Sequence, residues 1–338
     1  MALLVAIAHL WRGQIDPAAH YGVFCFFIIS GYLITRILCE TYAFSASGLA
    51  RFALNRFLRL YPAYAVVFML SLGLLFFASA EALNYSGGML QMNDANWQAW
   101  LYNIIIFGVA HLHVDGGDSV LAARLVNNIW SVSIELWFYL LMALGLSRTP
   151  KLSLLWFIAG IGYMVYGFYH HYSFYDFYLP VPAGILPFSI GACIYHLLKR
   201  WHLPSAMHHP WMIASTIVWI GVYGAGAHGF YDPERAGLYL SLIPSAALVI
   251  GCLHYLPARA APWSQRIDKL LGNLSYPLFL VHWTVAVFIL WVYPLAQPQL
   301  DAGWLLVLSL LPTHVLAWAI YRYVEKPIEV LRARVRNA

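Results

Sequence analysis

Three ionisable side chains fall inside apolar stretches of this sequence: His9, Glu135 and His282. Such groups are expensive to hold in a hydrocarbon layer, so each is a candidate for function. His9 lies just before Trp11, near the end of the first apolar run. Glu135 lies seven residues into a run that starts at 128, which is about 10 Å deep at helical rise. His282 lies nine residues beyond Asn273, or about 13 Å deep. One carboxylate and two imidazoles within a bilayer can form a proton relay or an acid–base pair. Plainer roles are open to each. His282 can bridge helices through a hydrogen bond, Glu135 can pair with an arginine on a neighbouring helix, and His9 can be an ordinary interfacial residue.

A second kind of chemistry is offered by Arg56-Phe57-Leu58-Arg59. Residues three apart share a helix face, and paired guanidinium groups suit a phosphate-bearing ligand. The competing reading is anchoring at a positively charged membrane face or contact with anionic lipid. His111, His113, Asp115 and Asp118 invite a metal reading, but their spacing matches no recognised ligand set. No metal is therefore expected. Trp97, Trp100 and Tyr102 are suited to stacking on sugar faces or to interfacial anchoring.

The elements that must carry these residues are transmembrane helices. Apolar residues make up 62% of the 338 and charged residues 10%, with a mean hydropathy of +0.69. A soluble domain has roughly 25% charged residues, so the apolar surplus must face lipid. Runs of about 20 apolar residues occur at 21–39, 61–80, 128–147, 152–170, 179–198, 211–227, 237–256, 274–293 and 303–321. Residues 1–11 form a tenth span of about half the required length. The expected fold is all-α, a polytopic transmembrane bundle of about ten helices forming one domain over 1–338.

Lysine and arginine orient it. With the C-terminal tail in the cytoplasm, 16 of the 19 basic residues fall in inner segments, and only Arg12, Arg124 and Arg235 fall outside. The positive-inside rule then puts both termini in the cytoplasm, in a multi-pass protein of the cell inner membrane. Residues 81–127 become one external segment, and the short apolar run 100–110 an interfacial or re-entrant helix. Because the basic residues sit in short loops, the net charge of +5 speaks for orientation and against nucleic acid. The four cysteines lie in or at the ends of apolar runs, which suggests no disulfide framework. Residues 1–10 lack a basic leader and a small-residue cleavage site, unlike a secretory signal.

Four segments, in order, resemble the acyltransferase 3 family. Gly22 through Thr35, with Ser30-Gly31-Tyr32, is similar to its second helix. Arg56-Phe57-Leu58-Arg59-Leu60-Tyr61-Pro62 resembles its Arg-x-x-Arg element. Trp130-Ser131-Val132-Ser133-Ile134-Glu135 is similar to its Trp-Ser-x-Ser-x-Glu signature. Leu271 through His282, with Ser275-Tyr276, resembles its late Ser-Tyr…His segment.

The resemblance implies an enzyme moving an acyl group, usually acetyl, from cytosolic acyl-CoA to a hydroxyl of a sugar or glycolipid on the outer side. It implies catalytic His9 and Glu135, acyl-CoA-binding Arg56 and Arg59, and supporting Trp130, Ser133, Ser275, Tyr276 and His282. Acyl-CoA is a co-substrate, and no bound cofactor is implied. Two departures stand out. The family has an arginine eleven residues before the first histidine, a position that here precedes Met1. With the short first span, this points to missing N-terminal sequence. Thr284 also stands where many relatives have proline. The rival classes are a proton-coupled transporter or flippase using Glu135 and His282, and an inactive membrane relative.

Overall fold

The computed structural model describes residues 1–11, 15–86, 88–110, 123–202, 204, 207–259 and 262–337. Nine helices among them are long and apolar enough to cross a membrane. The principal helices are α1 (Ala2–Leu10), α2 (Asp16–Glu40), α3 (Ala46–Phe77), α4 (Ala80–Ser86), α5 (Trp97–Ile105), α6 (Ile129–Leu141) and α7 (Pro150–Tyr169). They continue as α8 (Ile185–Leu198), α9 (His208–Ala227), α10 (Leu242–Arg259), α11 (Pro262–Val292), α12 (Trp304–Ile320) and α13 (Lys326–Asn337). All nine long runs read from the sequence are helical. The tenth, α1, has nine residues, so it is a half-length helix packed between α2 and α11.

Several of these helices bury little of their apolar surface. Ile213, Ile217 and Ile220 on α9 are each more than half exposed, as are Leu154, Leu155 and Ile158 on α7. In water such a surface would drive association; in a bilayer it is the side that meets lipid. A subset of polar residues is buried instead, Asn55, Ser133, His282 and Glu325 among them.

Helices α2 and α8 approach each other backbone to backbone. A Cβ built on Gly31 would lie 2.2 Å from the Phe188 carbonyl oxygen, and one on Gly191 would lie 2.1 Å from that of Ile28. Small residues permit this backbone contact. Gly31→Ala must separate the two helices, at about 1–3 kcal/mol. A lower melting temperature for purified protein would be the expected sign; an unchanged one would mean that α8 can slide away freely.

Residues 97–110 do not span. Helix α5 is capped by the Asn96 side chain on the Ala99 amide (3.0 Å) and ends at Ile106, where φ is 66°. Tyr61 and Tyr64, midway along α3, donate to the Ile105 and Asn103 carbonyls, both at 2.5 Å. Buried Asn103 ties the returning strand of chain to α5, donating to the Ala123 carbonyl (3.0 Å) and accepting from the Leu125 amide (2.9 Å). The segment thus enters the bundle and turns back, a re-entrant geometry. Backbone of this kind is tolerated at depth only where protein side chains satisfy it.

Helix α11 begins at Pro262, well before the run at 274 read from hydropathy. Its first turns carry Arg266, Asp268 and Lys269, which lowered the local hydropathy without breaking the helix. His282 consequently sits ten residues from the helix's far end, about 15 Å along the axis.

Candidate active site

Two polar centres lie at different levels of the bundle. The first joins α1 to α11. His9 Nδ1 lies 2.9 Å from His282 Nε2, with the rings stacked at 5.2 Å. His282 Nδ1 is 3.3 Å from the Leu278 carbonyl, one turn back on its own helix. A carbonyl only accepts, so a neutral His282 donates from Nδ1 and offers Nε2 as an acceptor. His9 then donates from Nδ1, which leaves its Nε2 with a lone pair.

His282 is fully buried, whereas His9 is partly exposed. Trp283 covers His9 at 5.0 Å, and Tyr85 donates to the His9 carbonyl (2.7 Å), fixing the end of α1. His9 opens onto a cavity of about 410 Å³ whose lining includes Asp16, His20, Arg124, Asn128, Trp130, Tyr178, Glu234 and Trp283. Trp130 and Tyr178 form an aromatic wall at 4.6 Å. Burial pushes the Arg124 guanidinium down to about 10. The Glu234 carboxyl is raised, by burial first and then by the charges of Asp232 and Asp16.

The second centre lies six residues earlier on α11, about 9 Å along the helix. There the Arg59 guanidinium stands over the Tyr276 ring at 5.9 Å, and Tyr276 donates to the Leu60 carbonyl (3.0 Å). Arg59 also pairs with buried Glu325 at 3.4 Å. Arg56 donates to the Asn55 side-chain oxygen (2.9 Å) and lies 6.0 Å from the Tyr139 ring centre. Beside it, an apolar groove of about 420 Å³ runs between α3 and α6, with Phe52, Phe57, Leu136 and Tyr139 among its walls.

Glu135 lies beside the second centre, bonded to the Tyr139 whose ring Arg56 faces. It accepts hydrogen bonds from Ser30 (2.5 Å) and from Tyr139, one turn away on α6. Among the described residues, neither His9 nor an arginine bonds it directly. The resemblance names both His9 and Glu135; here His9 meets His282, and Glu135 meets Ser30 and Tyr139. The remaining candidates divide. Ser133 accepts from the Ala110 amide and donates to the Phe107 carbonyl, both at 3.1 Å, which pins the re-entrant turn to α6. Among the described residues Ser275 bonds only the Leu271 carbonyl of its own helix (2.8 Å) and belongs to neither centre. Thr284 bonds Ser71 at 2.8 Å and links α11 to α3. His111, His113, Asp115 and Asp118 lie outside the described residues. Asn55, Asn128 and Glu325 were not singled out from sequence, because a single polar residue in or beside an apolar run carries no signal of its partner.

Helices that expose apolar faces while burying a histidine pair, a carboxylate and arginines define a multi-pass membrane protein with an internal polar site. The match of residues 2–322 to the acyltransferase domain model makes the class specific: the chain belongs to that family. Its relatives include the peptidoglycan O-acetyltransferase OatA of Listeria monocytogenes, 24% identical across 97% of this chain and 54% of the relative. The putative peptidoglycan O-acetyltransferase YrhL of Bacillus subtilis is 25% identical across 91% of this chain and 50% of its own. The O-acetyltransferase OatA of Staphylococcus aureus is 23% identical across 96% and 55%. The chain therefore spans about half the length of the curated relatives it matches. No solved structure matches it.

Proposed function

We propose that this chain is a membrane-embedded O-acyltransferase that moves an acyl group, in the first instance acetyl, from acyl-CoA to a hydroxyl of a glycan or glycolipid. The observation that carries this reading is the His9–His282 pair, whose tautomers leave His9 Nε2 unprotonated at the wall of its cavity. Membership of the family and the O-acetyltransferase relatives support it. In this reading the arginine end faces the cytoplasm and the His9 cavity faces the outer side of the inner membrane, as the distribution of lysine and arginine indicates.

The donor's phosphates bind at Arg56 and Arg59 through charge-assisted hydrogen bonds. Its acyl thioester reaches toward His9 past Glu135. His9 Nε2 takes the proton of the acceptor hydroxyl as that oxygen attacks the thioester carbonyl. The tetrahedral intermediate collapses, the carbon–sulfur bond breaks, and the thiolate leaves to take up the proton. If Nε2 attacks the carbonyl first, the thiolate leaves and an acyl-imidazole forms; the hydroxyl then attacks it, the bond to Nε2 breaks, and the hydroxyl proton passes to the thiolate. Glu135, held by Ser30 and Tyr139, lines the passage between donor and acceptor. Trp130 and Tyr178 stack on the sugar face, and Asn128 with Glu234 meets its hydroxyls.

The test is transfer of label from radiolabelled acetyl-CoA into glycan or glycolipid in membranes that contain the chain. Transfer above membranes lacking the chain supports the reading, and none with acetyl or longer acyl-CoA rejects it. His282 is expected to act by positioning. His282→Phe keeps a ring against His9 but removes the acceptor, so turnover should fall about 10- to 100-fold, as for other groups that orient a reacting histidine. His282→Gln restores an acceptor oxygen and should recover part of that loss. Equal rates for the two variants would reject the tautomer argument.

A further inference from the structure

Helix α13 lies beyond residue 322, where the match to the family ends, yet it packs along α3 beside Arg56 and Arg59. Asn55, itself buried, organises the contact. Its amide donates to the Arg332 carbonyl (3.0 Å), while its side-chain oxygen accepts from Arg56 (2.9 Å) and from Arg332 (3.3 Å). Two guanidinium groups therefore share one neutral oxygen, with Arg59 on the next turn of α3. The carboxylates in contact are Glu325, bonded to Arg59, and Glu329, bonded to Arg332. Three cations thus meet two anions, and Glu329 is half exposed.

Like charges brought this close repel unless an anion lies among them. The Nε atoms of Arg56 and Arg332 are both sealed from solvent without a hydrogen-bond partner, although buried donors are ordinarily satisfied. The Arg332 side chain is only 14% exposed, so its charge is not simply solvated. An apolar groove starts at Arg56, giving room for the uncharged remainder of a ligand.

We propose that Arg332 is a binding residue, completing with Arg56 and Arg59 a three-guanidinium site for a ligand carrying several phosphates. This deepens the donor reading above and rests on it: the ligand is the phosphorylated nucleotide end of acyl-CoA. The C-terminal helix then does more than brace α3, since it supplies a third of the charge that holds the donor. A headgroup of an anionic phospholipid offers the same chemistry from another source.

The experiment is equilibrium binding of CoA and dephospho-CoA to the full chain in phosphatidylcholine nanodiscs, at two salt concentrations. Arg332→Gln should weaken CoA about tenfold and flatten the salt dependence, with a smaller loss for dephospho-CoA. Glu329→Gln separates a charge role from a structural one. It frees Arg332 from its carboxylate, so CoA should bind at least as tightly as to the parent chain, whereas a brace lost with either partner would weaken both variants alike. CoA binding unchanged in Arg332→Gln, or weakened equally in Glu329→Gln, overturns the proposal. If the parent chain ignores CoA but retains phosphatidylglycerol that Arg332→Gln releases, the phosphate site stands on a lipid and the donor reading fails. If it holds neither, both fail.

Discussion

Membranes carrying His9→Ala should transfer essentially no acyl group while holding as much inserted protein as the parent. General acid–base assistance is worth roughly 10²–10⁴-fold, and a nucleophilic role would make the loss larger still. The side chain is not needed for folding, because its contacts are one hydrogen bond to His282 and ring contacts with His282 and Trp283. The end of α1 is held independently by Tyr85 on the His9 carbonyl. Substitution leaves an imidazole-shaped space open to the 410 Å³ cavity, so added imidazole should restore measurable transfer. Rescue would place the lost function in the ring itself. Wild-type rates in His9→Ala would remove this residue from the chemistry, and with it the proposed route to the acceptor.

The loss should also depend on which partner is removed. His282 lies 273 residues from His9 in sequence, and nothing in either neighbourhood announces the pairing. Each histidine was legible alone, as a titratable group in an apolar run. Their contact depends on α1 packing against α11, which the period of apolar residues does not specify. Glu135 shows the same limit from the other side. Its depth on α6 was readable, but its donor Ser30 comes from α2, 105 residues earlier in the chain.

The helices were more legible than the site because hydrophobic length is a one-dimensional property. Nine long runs became nine long helices, and the short run at 100–110 turned back inside the bundle as its length required. The boundaries failed where charge enters a helix before it reaches lipid. The early start of α11 at Pro262 and the long lead of α3 from Ala46 are both of this kind. Polar turns were read as loops, yet they continue the helices past the apolar runs.

That lead of α3 carries the second large expected effect. Replacing both Arg56 and Arg59 by glutamine should raise the KM for acyl-CoA steeply and alter kcat little, since these groups lie about 9 Å along the bundle from the histidine pair. A hydrogen bond to a charged group contributes about 1.5–3 kcal/mol, so each arginine should be worth roughly ten- to a hundredfold in donor affinity. Lysine should not substitute, because a point charge lacks the planar fork that grips phosphate. The complication is structural. Arg59 neutralises Glu325, which is 8% exposed, and deleting one partner of a buried ion pair costs about 3–5 kcal/mol. Arg59→Gln alone should therefore lose stability as well as affinity. Adding Glu325→Gln removes the orphaned charge, and should recover the melting temperature without recovering the KM. If the second change restored both, Arg59 would be a fold-holding residue and donor binding would have to be sought elsewhere. If instead only the acceptor's KM moved in the double arginine variant, the two ends of the bundle would exchange their roles.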